Sequence, residues 1–596
     1  MAPRDPVEFE LFKNGLRAIA DEMAVTLMRT AYSGVLKNNM DFATAVTDAD
    51  GLLVAQGLTL PGHLGSIPTA MQAVLARFGD DMAPGDVFIL NDPFEGGMHL
   101  PDIFLMKPVF MGADRIGFSA TVCHHADVGG RVPGSNASDS TEIYQEGLRI
   151  PPAKLYAGGR RDETLMRLIE ANVRLPAKLA GDLRAQMAAC HVAERQLLEL
   201  AERHGRAAFA ALERELIDYS ERMTRAEFAR LPNGTFTFED FIDDDGVEIG
   251  KPIRLKVTVT KAGDRLAVDW TGSAPQVRGA INNTLSYTKA ATYTAILTVV
   301  SHDLPINEGV FRAIEVSAPE GTIANALPPA ACAARGLTGF RMLDCCLGAL
   351  AAMLPDRVFA ASEGGNTGIT IAGRRPDRTP FIHVDFVCGA WGARPFADGL
   401  DGASNLFVNM ATQPIELIEA EQPIQVLAYE FVPDRAGAGT YRGGAAIRRD
   451  YRLLEQEAVL QVRADRQAFR PYGLHGGLPG HPSVNLIDRG AGFEPLPGKL
   501  TATLRRGEVF RHEIAGGGGW GDPLQRDPAL VLRDVRDGLV SEEGARADYG
   551  VLVDTARWTV DALGTERLRA RLRSDRGPVR KQEPATAPEL AAAAHD

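Results

Sequence analysis

The chain has 596 residues, 45% of them hydrophobic and 24% charged, with a formal net charge of −13 and a pI near 5.5. That length exceeds what one hydrophobic core serves, so two or three packed modules are expected. The acidic balance argues against a nucleic-acid binder, which needs a basic face to neutralise phosphates.

The N-terminal stretch MAPRDPVEFELFKNG lacks an apolar signal-type segment, and no run of about eighteen uninterrupted apolar residues follows it. Neither export nor membrane spanning is indicated, and a cytoplasmic protein is expected. The six cysteines, Cys123, Cys190, Cys332, Cys345, Cys346 and Cys388, show no C-x-x-C spacing, which favours reduced, buried thiols.

Along the chain, Phe9, Phe12, Leu16, Ile19, Met23 and Leu27 recur at helical spacing and predict a long opening helix. DFATAVTDADGLLVAQG reads as two short strands around an Asp-Gly turn, and SIPTAMQAVLARFG as a helix closed by Gly79. GDVFILND and DRIGFSATVCHH read as strands that end abruptly in polar residues. Residues 163–231 read as helical throughout. Ile253, Leu255, Val257 and Val259 alternate with polar residues, and after Gly263 the alternation resumes at Leu266, Val268 and Trp270, a hairpin with one wet face. Glycine-rich strand-and-turn sequence continues to about residue 523, two short helices follow, and a Pro/Ala-rich tail has little to bury. The expected fold class is α+β. An N-terminal mixed α/β module with a helical segment covers residues 1–232, a glycine-rich β-dominated module 233–523, helices 524–574 and a disordered tail 575–596.

The candidate chemistry lies in NDPFEGGMHLPDIF, residues 91–104. His99 and Asp102 stand three positions apart across Pro101, and TVCHHADVGG brings His124, His125 and Asp127 to a second polar strand end. Two neighbouring strand ends would make a two-His, one-carboxylate site with positions open to water or substrate. Strand parity puts His124 with Ile116, Phe118, Ala120 and Val122, and His125 with Ser119, Thr121 and Cys123. His124 is therefore preferred as the third ligand, with His125 as the alternative. Asp41, His63 and Asp92 are candidate partners that orient a ligand imidazole; Asp92 before Pro93 is equally a routine turn residue.

Neither GLHGGLPGHPS nor IAGGGGWGDP fits a phosphate loop or a dinucleotide fingerprint. Gly516 to Gly519 are read as permitting a tight backbone crossing against Trp520. There is no G-x-S-x-G elbow, and Cys123 and His124 point to opposite faces of a strand, so a thiol–imidazole pair is not expected.

NDPFEGGMHLPDIFLMKPVF, CHHADVGG, EGLRIPPAKLY and AGGGGWGDPLQRDPALVLRDVRDGLVSEEGARADYGV together resemble the hydantoinase B / 5-oxoprolinase family, in the same order from about residue 5 to about residue 555. The resemblance implies the B-type subunit of an ATP-dependent enzyme acting on a hydantoin, 5-oxoproline or lactam. A hydantoinase A-type partner would spend the ATP, phosphorylating the substrate, and two A and two B subunits would assemble. It also implies a divalent metal on His99, Asp102 and His124, with manganese, zinc and iron all compatible, and a proton acceptor such as Asp127 or Asp92. A carboxylase subunit acting on a ketone of the acetone or acetophenone type is the alternative, and a non-catalytic scaffold a third.

Overall fold

In a computed structural model the described residues are 5–57, 60–63, 65–79, 81–300, 303–365, 367–387 and 389–576. The chain is α+β and divides into two compact units that interleave in sequence. The first comprises residues 1–235, 258–339 and 407–414; the second comprises 236–257, 340–406 and 415–596. Residues 258–339, which composition alone groups with the β-rich stretch, thus fold with the N-terminal unit, a crossing that a reading along the sequence cannot detect.

The first unit opens with helix α1 (Pro6–Thr30), N-capped by Asp5, whose carboxylate accepts the Val7 N–H. Phe12, Leu16, Ile19, Met23 and Leu27 form its buried stripe, with Phe9 packed at the margin. After the short α2 (Gly34–Lys37) come β1 (Phe42–Asp48) and β2 (Leu53–Gln56), then α3 (Ser66–Phe78), ended by Gly79 at φ 47°. Strands β3 (Val87–Leu90), β4 (Asp102–Met111), β5 (Asp114–His124), β6 (Ala153–Ala157) and β7 (Arg160–Arg161) complete an antiparallel seven-stranded sheet in the order β2-β1-β5-β4-β3-β6-β7. Helices α4 (Glu163–Asn172), α5 (Pro176–His204) and α6 (Arg206–Ala229) follow, broken only near Pro176 and at Gly205. With α1, α4 and α5 packed on the face of Ile103, Leu105 and Cys123, and Phe78 of α3 meeting Phe88 on the other, β4 and β5 are buried on both faces. Strand parity therefore separates His124 from His125 without separating interior from surface.

The chain passes between the units within β8 (Gly234–Ile242) and β9 (Ile253–Ala262). Thr258–Ala262 pairs with β10 (Arg265–Asp269) across the predicted Gly263 turn, and β11 (Ile314–Ser317) adds in parallel. Between residues 233 and 523 the expected strand-and-turn sequence is interrupted by α7 (Leu285–Leu297), the short α8 (Glu308–Arg312) and α9 (Gly336–Met353). The long pair, α7 and α9, are buried nearly all round, which erases the polar face that marks a helix in sequence. By length and hydropathy α9 could cross a membrane, but 94% of it is buried inside the protein. Its Arg341 and Asp344 are ion-paired to Asp465 and Arg466.

The second unit stacks two sheets. One is β13 (Pro380–Val387), β12 (Thr367–Arg374), β16 (Glu457–Arg463) and β19 (Lys499–Arg505), in that order. The other is β14 (Ile424–Val432), β15 (Ala446–Leu453), β20 (Val509–Glu513), β17 (Val484–Asp488) and β18 (Phe493–Leu496). Their shared core includes Ile369, Ile371, Ile447, Leu460, Val462 and Phe510. Small helices α10 (Ile415–Glu421), α11 (Pro528–Arg536), α12 (Glu542–Ala547) and α13 (Ala562–Arg576) complete it. Gly516 to Gly519 cross other backbone as expected: a Cβ on Gly518 would meet the Tyr472 carbonyl oxygen at 2.0 Å. The five described cysteines are buried and free, while Cys388 and the expected tail beyond Arg576 lie outside the described residues.

Candidate metal centre

The site is built where β4 begins and β5 ends. Antiparallel register sets Asp102 directly opposite His124, so two chain-distant side chains share one face by pairing alone. His99 comes from the β3–β4 connection. There Gly96, at φ 96°, lets the loop lie against α3, since a Cβ would come within 2.7 Å of Ala70 backbone. Asn91 holds the same loop down, donating to the Leu100 and Leu148 carbonyls and accepting the Ile150 N–H. The Asp102 N–H then donates to the His99 carbonyl at 3.0 Å, and the His125 N–H to Pro101 at 2.8 Å, locking the turn to the end of β5.

His99 Nε2, Asp102 Oδ1 and His124 Nδ1 form a triangle with edges of 2.9, 3.0 and 3.2 Å. All three residues are buried. Adjacent ligands of an octahedral ion with bonds of about 2.1 Å stand about 3.0 Å apart, so the triangle has the dimensions of one face of such a site.

The proton inventory points the same way. His99 Nδ1 lies 3.0 Å from the Ala333 carbonyl, which can only accept, so the ring proton belongs on Nδ1 and Nε2 presents a lone pair. Burial first, and then the Arg335 charge, push the His99 pKa down to about 3, so a second ring proton is excluded at neutral pH. A bare nitrogen 2.9 Å from a carboxylate oxygen is repulsive unless a cation or a shared proton stands between them. Burial alone would raise the Asp102 carboxyl. The Arg335 guanidinium outweighs it, with a hydrogen bond at Oδ2, and Asp102 is held well below the usual carboxylate range. These residues thus fit a divalent cation.

Of the flanking groups expected from sequence, two are present. His63 Nε2 lies 3.8 Å from Asp102 Oδ2, and Asp41 Oδ2 lies 3.9 Å from His124 Nδ1. Burial drives the His63 pKa down to about 4. His125 points away from the triangle: its Nε2 meets the Gln186 side-chain oxygen at 3.1 Å, while the Gln186 amide donates to Ile103 and Thr121.

The two expected proton acceptors are engaged elsewhere. Asp127 accepts backbone N–H groups of Gly129, Gly134 and Arg174 and pairs with the Arg174 guanidinium at 2.9 Å. Asp92 caps the turn at Pro93–Glu95 and pairs with Arg149 at 2.6 Å. Loop closure consumes both carboxylates, which is ordinary turn chemistry for Asp.

One charged group at the site was not expected. Arg335 donates to Asp102 Oδ2 at 2.5 Å, and its guanidinium stacks on Tyr287 at 3.8 Å from the ring centroid. Its sequence signal was a lone arginine in the alanine-rich run PPAACAARGLTGF.

A family profile described as hydantoinase B/oxoprolinase matches residues 5–523. The chain belongs to the hydantoinase B/oxoprolinase family. It is 35% identical over 573 residues to an uncharacterised protein of Methanocaldococcus jannaschii, covering 95% of this chain and 100% of that one. It is 34% identical over 575 residues to caprolactamase subunit beta of Pseudomonas jessenii, covering 92% and 96%. The crystal structure of the ATP-dependent caprolactamase from that organism superposes with a TM-score of 0.88 at 33% identity, over 95% of this chain and 100% of that chain. A nucleotide-free acetone carboxylase structure reaches the same TM-score of 0.88 at 20% identity, over 96% and 83%, a likeness of fold alone.

Proposed function

We propose that this chain is the B-type subunit of an ATP-dependent cyclic amide hydrolase of the hydantoinase, 5-oxoprolinase or lactamase kind. Its His99, Asp102 and His124 would hold a divalent metal. The observation that carries the reading is the buried triangle of His99 Nε2, Asp102 Oδ1 and His124 Nδ1, whose edges of 2.9 to 3.2 Å suit a single ion. Membership of the family and the 34% identity to a caprolactamase subunit support the reaction class.

In this reading an A-type ATPase partner phosphorylates the substrate's amide oxygen. That converts the resonance-protected amide of a lactam or hydantoin ring into an imidate-like phosphate, whose carbon is open to water and whose oxygen leaves as phosphate. When bound, the metal supplies a Lewis acid and lowers the pKa of water at the site. The chain's own residues do the rest. Ala333 fixes the His99 tautomer, Arg335 braces Asp102 from the side opposite the triangle, and Tyr287 supports the guanidinium. His63, buried and neutral, lies beside Asp102, and Asp41 stands beside His124.

The test is phosphate release by the chain reconstituted with an A-type ATPase, measured with hydantoins, lactams and ketones, each with and without bicarbonate. Ring opening coupled to phosphate release without bicarbonate supports the reading. Turnover only with a ketone and bicarbonate assigns the chain to carboxylation instead, and full turnover by a metal-free His99→Ala variant makes it a scaffold.

A further inference from the structure

Glu146, the first residue of EGLRIPPAKLY, is 2% exposed and makes no ion pair among the described residues. Its Oε1 accepts two backbone N–H groups, those of Cys332 and Ala333, each at 2.8 Å, and its Oε2 has no hydrogen-bond partner. A buried carboxyl so placed is costly, and an uncharged side chain would pack there with less penalty. What distinguishes the contact is its target. The turn it grips presents the Ala333 carbonyl to His99 Nδ1 and the Arg335 guanidinium to Asp102.

The peptide on the other side of Ala333 is fixed independently, because the Ala334 N–H donates to the Ala280 carbonyl at 2.8 Å. The Arg335 N–H closes the turn on Cys332 at 3.1 Å, and the Ile143 N–H reaches the Pro329 carbonyl at 3.0 Å. Ala333 is thus clamped from both sides, and the Glu146 side of the clamp is a single oxygen.

We propose that Glu146 is a positioning residue for the metal centre. By holding the Cys332–Arg335 turn it aims the Ala333 carbonyl at His99, keeps that ring in the Nδ1–H tautomer and so keeps the Nε2 lone pair on the ion. The proposal rests on the metal reading above and adds a residue that never touches the ion. Partners of this kind, one shell out, typically govern about 10- to 100-fold in metal affinity.

The experiment titrates the full-length, metal-stripped chain with Mn2+ and with Zn2+ against a competing chelator, for wild type, Glu146→Gln, Glu146→Asp and Glu146→Ala. Circular dichroism and thermal melting are recorded for each. Gln retains an acceptor oxygen at the same reach and is expected to bind within about threefold of wild type. Asp, one methylene short, and Ala, which leaves two buried N–H groups unpartnered, are expected to lose about 10- to 100-fold. A residue that only stabilised the fold would lower the melting temperature and leave the affinity of the folded chain intact. Wild-type affinity in the folded Asp or Ala variant overturns the proposal, as does a loss in Gln as large as in Ala. If Ala does not fold, the Asp and Gln pair carries the comparison. A wild-type chain that takes up neither ion contradicts the metal reading itself, and this proposal falls with it.

Discussion

Asp102 and His124 are register partners across β4 and β5, and their side-chain atoms meet at 3.0 Å. His125, one residue on, meets Gln186 instead. One step along a strand therefore separates a candidate ligand from a bracing residue. His124→Ala is expected to lose stoichiometric Mn2+ or Zn2+, whereas His125→Ala is expected to keep it, with a destabilisation of roughly 1–3 kcal/mol from the orphaned Gln186. Elemental analysis of the two purified variants, with chemical unfolding of the second, checks both halves.

The neutral histidines give the metal-free chain an acid sensitivity of definite sign. His63, with a folded pKa of about 4, refuses protons that the unfolded chain binds below about 6.5. Its effect is nil above pH 7, and stability is lost as pH falls from about 6.5 toward 4, amounting to about 2 kcal/mol by pH 5. His99, at about 3, acts in the same direction. Asp243 and Asp344, raised to about 6 chiefly by burial, titrate with the opposite sign, so the informative quantity is a difference between chains. His63→Asn, stripped of metal, is expected to lose less stability than wild type between pH 7 and pH 5 in denaturant titrations. Parallel losses would contradict the assignment.

The glycine-dense crossing makes a prediction independent of the metal. Gly518→Ala would drive a Cβ onto the Tyr472 carbonyl, which the Ala361 N–H holds in place at 3.0 Å, and Gly516→Ala meets the Arg435 carbonyl at 1.8 Å. Each is expected to cost roughly 3 kcal/mol or more, near the upper end of core overpacking. An equilibrium unfolding curve within 1 kcal/mol of wild type would show that the crossing relaxes.

Legibility in the sequence followed the range of the interactions. That His99 and Asp102 meet was legible because three residues and a proline set their geometry locally, and the side taken by His124 because strand parity is a local rule. Arg335 and Ala333 were not, since they reach Asp102 and His99 across 233 and 234 positions and no periodicity announces such a contact. The loop contacts of Asp127 and Asp92 were legible too, for a local reason. Both sit next to glycine or proline turns, where a carboxylate accepting backbone N–H groups is the commoner outcome. The opening helix and strands β3 and β5 were visible in their apolar spacing, whereas β4 was not assigned and α7 and α9, buried nearly all round, were not seen.

Crystals of the full-length chain soaked in Mn2+ and measured at the manganese edge test the central claim most directly. One anomalous peak is predicted, at about 2.2 Å from each of His99 Nε2, Asp102 Oδ1 and His124 Nδ1, with the His99 Nδ1 contact to Ala333 retained. A well-ordered map with these three side chains in place and no peak between them would contradict it.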